Sequence, residues 1–261
     1  SNKTVTVGTL ALGNGSNGGL AGNYTLTGGT HQLTVNQRPL NATLARQYDG
    51  TTAAAGSTVS SFDALQGGET LTMTGSGTAA SANVANGIAM SSNGNLALAD
   101  GTGAASNYSL NSTVINVTQK PINLSGTKIY DGNTTLNNSI VSVSSGLIGI
   151  ETLTLTGEVN TNNANVGSYS ASGGTLNVGS TTINIANGSN GGLAANYAIN
   201  DGNFTITQRP VGVSGTRLYD ATTNAVASDL STHANLVGSQ TLTLSGTGSV
   251  ANANVGNNKT V

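Results

Sequence analysis

Short stretches in which apolar and polar side chains alternate recur along the chain. "ETLTMT" (Glu69–Thr74), "ETLTLT" (Glu151–Thr156) and "QTLTLS" (Gln240–Ser245) have period two, as do "TVTV" (Thr4–Val7), "VINVT" (Val114–Thr118), "TINI" (Thr182–Ile185) and "FTIT" (Phe204–Thr207). Successive side chains of an extended backbone point to opposite faces, so each stretch predicts a strand with one buried and one wet face. Clusters of Gly, Asn and Asp separate them about every 8–12 residues, the spacing of a β-sandwich. There is no sustained 3.6-residue apolar pattern, so helices should be minor or absent.

The strands come in a fixed order, and that order repeats. "QRPLNATLARQYDGTT" (Gln37–Thr52) returns as "QKPINLSGTKIYDGNTT" (Gln119–Thr135) and "QRPVGVSGTRLYDATT" (Gln208–Thr223). Pro39, Pro121 and Pro210 are the chain's three prolines, spaced by 82 and 89 residues, and Tyr48, Tyr130 and Tyr219 share that spacing. Each time the alternating "TLT" block follows, and then "GLAGNYTL" (Gly19–Leu26), "GAASNYSL" (Gly103–Leu110) or "GLAANYAI" (Gly192–Ile199). "NKTV" stands at both Asn2–Val5 and Asn258–Val261, so the chain starts and stops in one phase.

Residues 37–118 and 119–207 therefore read as complete repeats. Residues 1–36 read as the C-terminal part of a repeat and 208–261 as the N-terminal part of another. The expected fold is all-β, with six or seven short strands per repeat forming tandem immunoglobulin-like sandwiches in an elongated rod. A parallel β-solenoid is the alternative, suggested by abundant Asn and Gly. Its coils repeat every 20–30 residues or so, and the longer repeat shows no such internal self-similarity. The junctions Thr118–Pro121 and Thr207–Pro210 hold no flexible spacer, and proline stiffens them. The part-repeats leave half-covered cores and unpaired strand edges, so neighbouring chains could complete one another head to tail.

Charge narrows the function. Charged residues make up 7% of 261, against about 25% in ordinary domains, and the net charge is −2. Eight scattered cations cannot form the basic face that nucleic acid requires. No run approaches the roughly 18 apolar residues of a membrane span, so neither nucleic-acid binding nor membrane insertion is expected. Without cysteine there is no disulfide framework and no thiolate metal site.

The candidate chemistry is sparse. A cation stands two residues before each repeated tyrosine (Arg46, Lys128, Arg217), and Asp49, Asp131 or Asp220 follows it. The structural reading makes Tyr48, Asp49 and Gly50, with Tyr130, Asp131 and Gly132 and with Tyr219 and Asp220, a corner between strands. The ring would pack on the core edge and the carboxylate would accept turn N–H bonds. The functional reading is a repeated glycan-binding patch acting by avidity. No window has the spaced carboxylates of a calcium loop, and no cofactor is expected. His31 and His233 occupy unmatched positions and read as lone surface histidines. Glu69 and Glu151 match a Gln240 in the third copy, which argues for a strand-edge role and against acid–base chemistry. Asn-x-Ser/Thr triplets such as those at Asn23, Asn107 and Asn133 follow from a composition rich in all three residues.

"NYAINDGNFTITQRPVGVSGTRLYDATT" (Asn196–Thr223) and its partners resemble the YDG-type repeats, kin of the mostly bacterial immunoglobulin-like repeats, of large filamentous-haemagglutinin-like adhesins. The Tyr-Asp-Gly is intact at Tyr48–Gly50 and Tyr130–Gly132 and becomes Tyr-Asp-Ala at Tyr219–Ala221. The resemblance implies a secreted or surface-exposed bacterial stalk or biofilm-matrix fibre, extracellular and without enzyme activity. Its partners would be neighbouring repeats of the same or like chains, with a carbohydrate-binding module as the alternative.

Overall fold

The computed structural model describes residues 2–171 and 182–261. Two compact units divide the chain, residues 1–118 and 119–261. Among the described residues strands and turns dominate, and the only helical pieces are three-residue 3-10 turns. The fold is all-β.

In the first unit, the strand that opens the complete repeat (Arg38–Gln47) buries Leu40, Ala42 and Leu44 at alternate positions. The strand that closes it (Tyr108–Thr118) buries Tyr108, Thr113, Ile115 and Val117. These two strands lie side by side and run parallel, with Arg38 opposite Tyr108 and Gln47 opposite Thr118. A parallel pair cannot be joined by a tight turn, so the rest of the repeat serves as its crossover. That crossover supplies the remaining strands of a six-stranded sheet. Its order is Ala53–Ala55, Ser76–Ala79, Ala85–Ser92, Tyr108–Thr118, Arg38–Gln47 and Val59–Phe62, and every other pairing is antiparallel. Leu71–Thr74 and Ala97–Asp100 form a separate antiparallel ribbon, and a third pairs Asn2–Thr4 with Gln32–Thr34.

The second unit repeats the plan. Its opening strand, Lys120–Ile129, runs parallel to its closing strand, Tyr197–Thr207, with Lys120 opposite Tyr197 and Ile129 opposite Thr207. Val141–Ser145 and Gly167–Ala171 flank them antiparallel. Ribbons of Thr135–Asn137 with Glu158–Asn160 and of Leu153–Thr156 with Asn184–Asn187 lie beside this sheet. Leu124, Leu136, Val141, Leu155, Val159, Ile183 and Phe204 form the core between them. In residues 208–261, only Gly212–Ser214 with Thr232–Ala234 and Asn224–Val226 with Thr247–Ser249 are paired.

Three expectations need correction. Each complete repeat holds eight strands among the described residues, not six or seven, because short ribbons at the corners add to the main sheet. The parallel opening and closing pair departs from a purely antiparallel sandwich, yet among the described residues it is the single parallel pairing in each repeat, unlike the successive parallel coils of a solenoid. "QTLTLS" (Gln240–Ser245) forms no strand, although its counterparts Leu71–Thr74 and Leu153–Thr156 do. Those counterparts are held by Ala97–Asp100 and Asn184–Asn187, and residues 208–261 contain no matching segment. Alternation makes a strand only where a neighbour takes up its N–H and C=O groups.

Candidate functional site

The Tyr-Asp motif lies where the opening strand ends. The N–H of Tyr48 donates to Thr118 O at 2.9 Å, and that of Tyr130 donates to Thr207 O at 2.9 Å, which ties each motif to the last residue of the closing strand. The chain then turns. Asp49 Oδ1 accepts the Thr51 N–H, Asp131 Oδ1 the Asn133 N–H and Asp220 Oδ1 the Thr222 N–H, each at 2.9 Å. In all three copies the middle residue of this side-chain mimic of a backbone turn is left-handed. Gly50 (φ +77°) and Gly132 (φ +79°) supply that conformation without strain, while Ala221 adopts φ +58° despite its Cβ.

The cation two residues before the tyrosine closes the turn from inside. Lys128 Nζ lies within hydrogen-bonding distance of Asp131 Oδ1 (2.7 Å), Asn133 O (2.7 Å) and Thr135 O (3.0 Å), which uses all three ammonium donors. Its side chain is 4% exposed. Arg46 reaches Asp49 and Thr51 O in the same way, and Arg217 reaches Asp220 and, at 2.6 Å, Thr222 O. The arginine is the poorer fit in the first repeat, where Arg46 Nε is buried without a partner.

These contacts set the carboxylates. Burial alone would raise Asp49, but the Thr51 N–H and hydroxyl and then the Arg46 charge outweigh it and hold the group below the usual carboxylate range. Burial would likewise raise Asp131, but the Lys128 hydrogen bond and the Asn133 N–H outweigh it and lower the group. Asp220 is drawn down to about 2, first by the Thr222 N–H and then by Arg217.

The tyrosines differ in exposure. Tyr48 is buried, Tyr130 half-buried and Tyr219 64% exposed. Pro39, Pro121 and Pro210 are exposed, and Pro39 and Pro121 sit at the second position of their opening strands, opposite Ser109 and Ala198.

A second recurring arrangement joins residues far apart in sequence. Tyr108, first in the closing strand, packs with Leu40 and Leu71. Its hydroxyl donates to Glu69 Oε2 and accepts the Gln66 N–H at 3.2 Å. The hydrogen bond to Glu69 raises the phenol above its ordinary value. In the second repeat, the Tyr197 hydroxyl donates to Glu151 Oε2 at 2.6 Å and accepts the Ile148 N–H at 3.1 Å. Glu69 and Glu151 are thus acceptors for a buried tyrosine. The sequence reading had them at a strand edge and did not select Tyr108 or Tyr197, though the repeated "NY" carried the signal.

Residues 31–115 and 203–261, more than half of the chain, match the YDG domain. The chain belongs to the YDG domain family. No curated protein and no solved structure matches it. The matched residues carry both the Tyr-Asp corner of the first repeat and that of the third, so the eponymous motif is the cation-closed turn described above.

The two histidines of this YDG chain do not come together. His31 Nε2 lies 2.7 Å from Leu26 O. His233 was expected at the surface, but its Nε2 is buried without a partner, because the strand Thr232–Ala234 sets it opposite Val213, as Phe62 is set opposite Ala42 in the first repeat. Among the described residues no three His, Asp or Glu side chains converge.

Proposed function

We propose that this YDG chain is a load-bearing spacer, a stalk segment of a secreted or surface-exposed bacterial adhesin or matrix fibre. Its mechanism is spacing and stiffness, not turnover. The observation that carries this reading is the parallel pairing of opening and closing strands. Because the two run the same way over about ten residues, a complete repeat is entered at one end of the ladder and left at the other. At about 3.3 Å per residue, each repeat advances the chain by some 30 Å. Tension applied through the chain then pulls the two strands past each other. All rungs resist together, and the Tyr48 and Tyr130 amides add a rung beyond the strand ends.

The immunoglobulin-like description of each repeat, the extracellular location and the partnership with like repeats all belong to this reading. The glycan-binding alternative is weaker. It needs the motif tyrosines as stacking platforms, and Tyr48 is only 4% exposed, its place being in the corner. Single-molecule stretching of the chain tests the proposal. A spacer unfolds repeat by repeat at high force, whereas a binding module has no need to resist.

A further inference from the structure

One residue of the second corner holds both sides of a junction between repeats. The Tyr130 N–H donates to the carbonyl of Thr207, the last residue of its own repeat, at 2.9 Å. Its carbonyl accepts from Arg209 Nη1 at 3.4 Å, and its hydroxyl accepts from Gln240 Nε2 at 2.6 Å. Both donors belong to the repeat that begins at Gln208. Tyr130 thus brackets Gln208 with its two backbone groups and grips a distant third point with its side chain. The glycine of the same corner comes equally close to that repeat. A Cβ on Gly132 would lie 3.0 Å from Val237 Cγ1. Glycine here serves this approach as well as the left-handed turn.

The seat on the following repeat is held in shape by its own bonds. Arg209 Nε donates to Asn235 O at 2.7 Å and Arg209 Nη2 to Asn235 Oδ1 at 2.6 Å, while Asn235 Nδ2 donates to Pro210 O at 2.8 Å. The Gln240 N–H donates to Val237 O at 3.1 Å and closes the turn that presents both residues. The same parts occur in the first repeat, where Arg38 Nε donates to Ala64 O at 2.9 Å and the Glu69 N–H to Gln66 O at 2.9 Å. The second repeat has the same turn, with the Glu151 N–H on Ile148 O at 2.9 Å. The clamp and the turn are therefore features of the repeat itself.

We infer that the Tyr-Asp-Gly corner is also a docking surface for the repeat that follows it, with Tyr130 as the plug and Arg209, Val237 and Gln240 as the seat. This rests on the reading of the chain as a spacer and adds the joint that stiffens it. Proline fixes one backbone torsion at such a junction, and the torsions of Gln208 stay soft. An anchor far from the junction in sequence, at Gln240, removes the swing that proline leaves. Few contacts suffice, because the two surfaces are joined through one short stretch of chain and meet at high effective concentration. The corner then has two faces. Its amide closes the ladder of its own repeat, and its carbonyl, ring hydroxyl and glycine receive the next.

Double electron–electron resonance between spin labels tests this in the full chain, which has no native cysteine. Ser168→Cys and Asn224→Cys place labels at exposed strand positions on either side of the junction. The unchanged junction is expected to give one narrow distance distribution. Gln240→Ala and Tyr130→Ala should each broaden it several-fold, and combining them should add little, because both remove the same contact. Gln240 is exposed, so its replacement leaves the fold of each repeat intact. A control pair within the following repeat, Ser214→Cys with Asn224→Cys, should therefore stay narrow in Gln240→Ala. A broad distribution across the unchanged junction overturns the inference. So does a narrow one that Gln240→Ala leaves as it was, or a broadening that the control pair shares. Free swinging at Gln208 would leave the stretching behaviour of each complete repeat untouched, so failure here is distinct from failure of the spacer reading.

Discussion

The Tyr48 amide donates to the Thr118 carbonyl at 2.9 Å, and so the first residue of the corner motif is bonded to the last residue of its repeat. Seventy residues separate them in sequence. Tyr130 and Thr207 have the same relationship. The motif that names the family therefore locks the far end of the parallel ladder, and the cation behind it keeps the turn from opening.

Lys128 contributes to that lock through hydrogen bonds more than through charge, since Asp131 remains 43% exposed. Lys128→Met strands the Asn133 and Thr135 carbonyls, and the second unit should lose about 2 kcal/mol in denaturant unfolding. Arg46→Lys in the first repeat should be neutral or stabilising, because it removes the partnerless Nε while keeping the charge.

Ala221 is the one corner position where a side chain occupies the left-handed region, at φ +58°. Relief of that strain is worth about 1 kcal/mol, and glycine's extra freedom in the unfolded chain returns roughly half of it. Ala221→Gly should slow hydrogen exchange at the Thr222 amide, which bonds to Asp220. Faster exchange would show that the alanine is accommodated without strain.

The corner aspartates make stability fall in acid. Their folded values lie below the unfolded value of about 3.9, so the contribution is complete above pH 4 and is lost as pH falls through the folded values, to about 2 for Asp220. Thermal unfolding followed from pH 7 to pH 2 should show little change from these groups above pH 5 and a steep drop below 4. Asp131→Asn should flatten part of that drop. A melting temperature that rises between pH 4 and 2 would contradict the assignment.

His233 stands where Phe62 stands in the first repeat and buries an unsatisfied nitrogen. His233→Phe should stabilise the third copy by about 1 kcal/mol, read as a rise in its melting temperature.

The strand content and the all-β class were legible because alternation at "TLTMT" and "VINVT" reports one buried face directly. Pairing was less so. Nothing in the spacing of Arg38 and Tyr108 announces that their strands run parallel, since direction depends on how the intervening chain crosses. "QTLTLS" failed as a strand because periodicity describes a face and says nothing of an edge. At the corner, the Asx turn and its cation were visible in the order of residue types. The Tyr108–Glu69 pair was not, because each residue alone looks like ordinary surface chemistry. Two matched copies of "NY" and of "ET" held the clue, and it emerges only when both are placed on one fold.

If a complete YDG repeat bears load as proposed, its parallel ladder resists being pulled from its two ends. The chain has no cysteine, so paired handles are unambiguous. With Asn36→Cys and Gln119→Cys, force shears the ladder between Arg38–Gln47 and Tyr108–Thr118. With Asn36→Cys and Asn107→Cys, both handles sit at one end of the same ladder and force peels it rung by rung. The account predicts an unfolding force several-fold higher for the first pair at equal loading rate, and equal forces for the two pairs would contradict it.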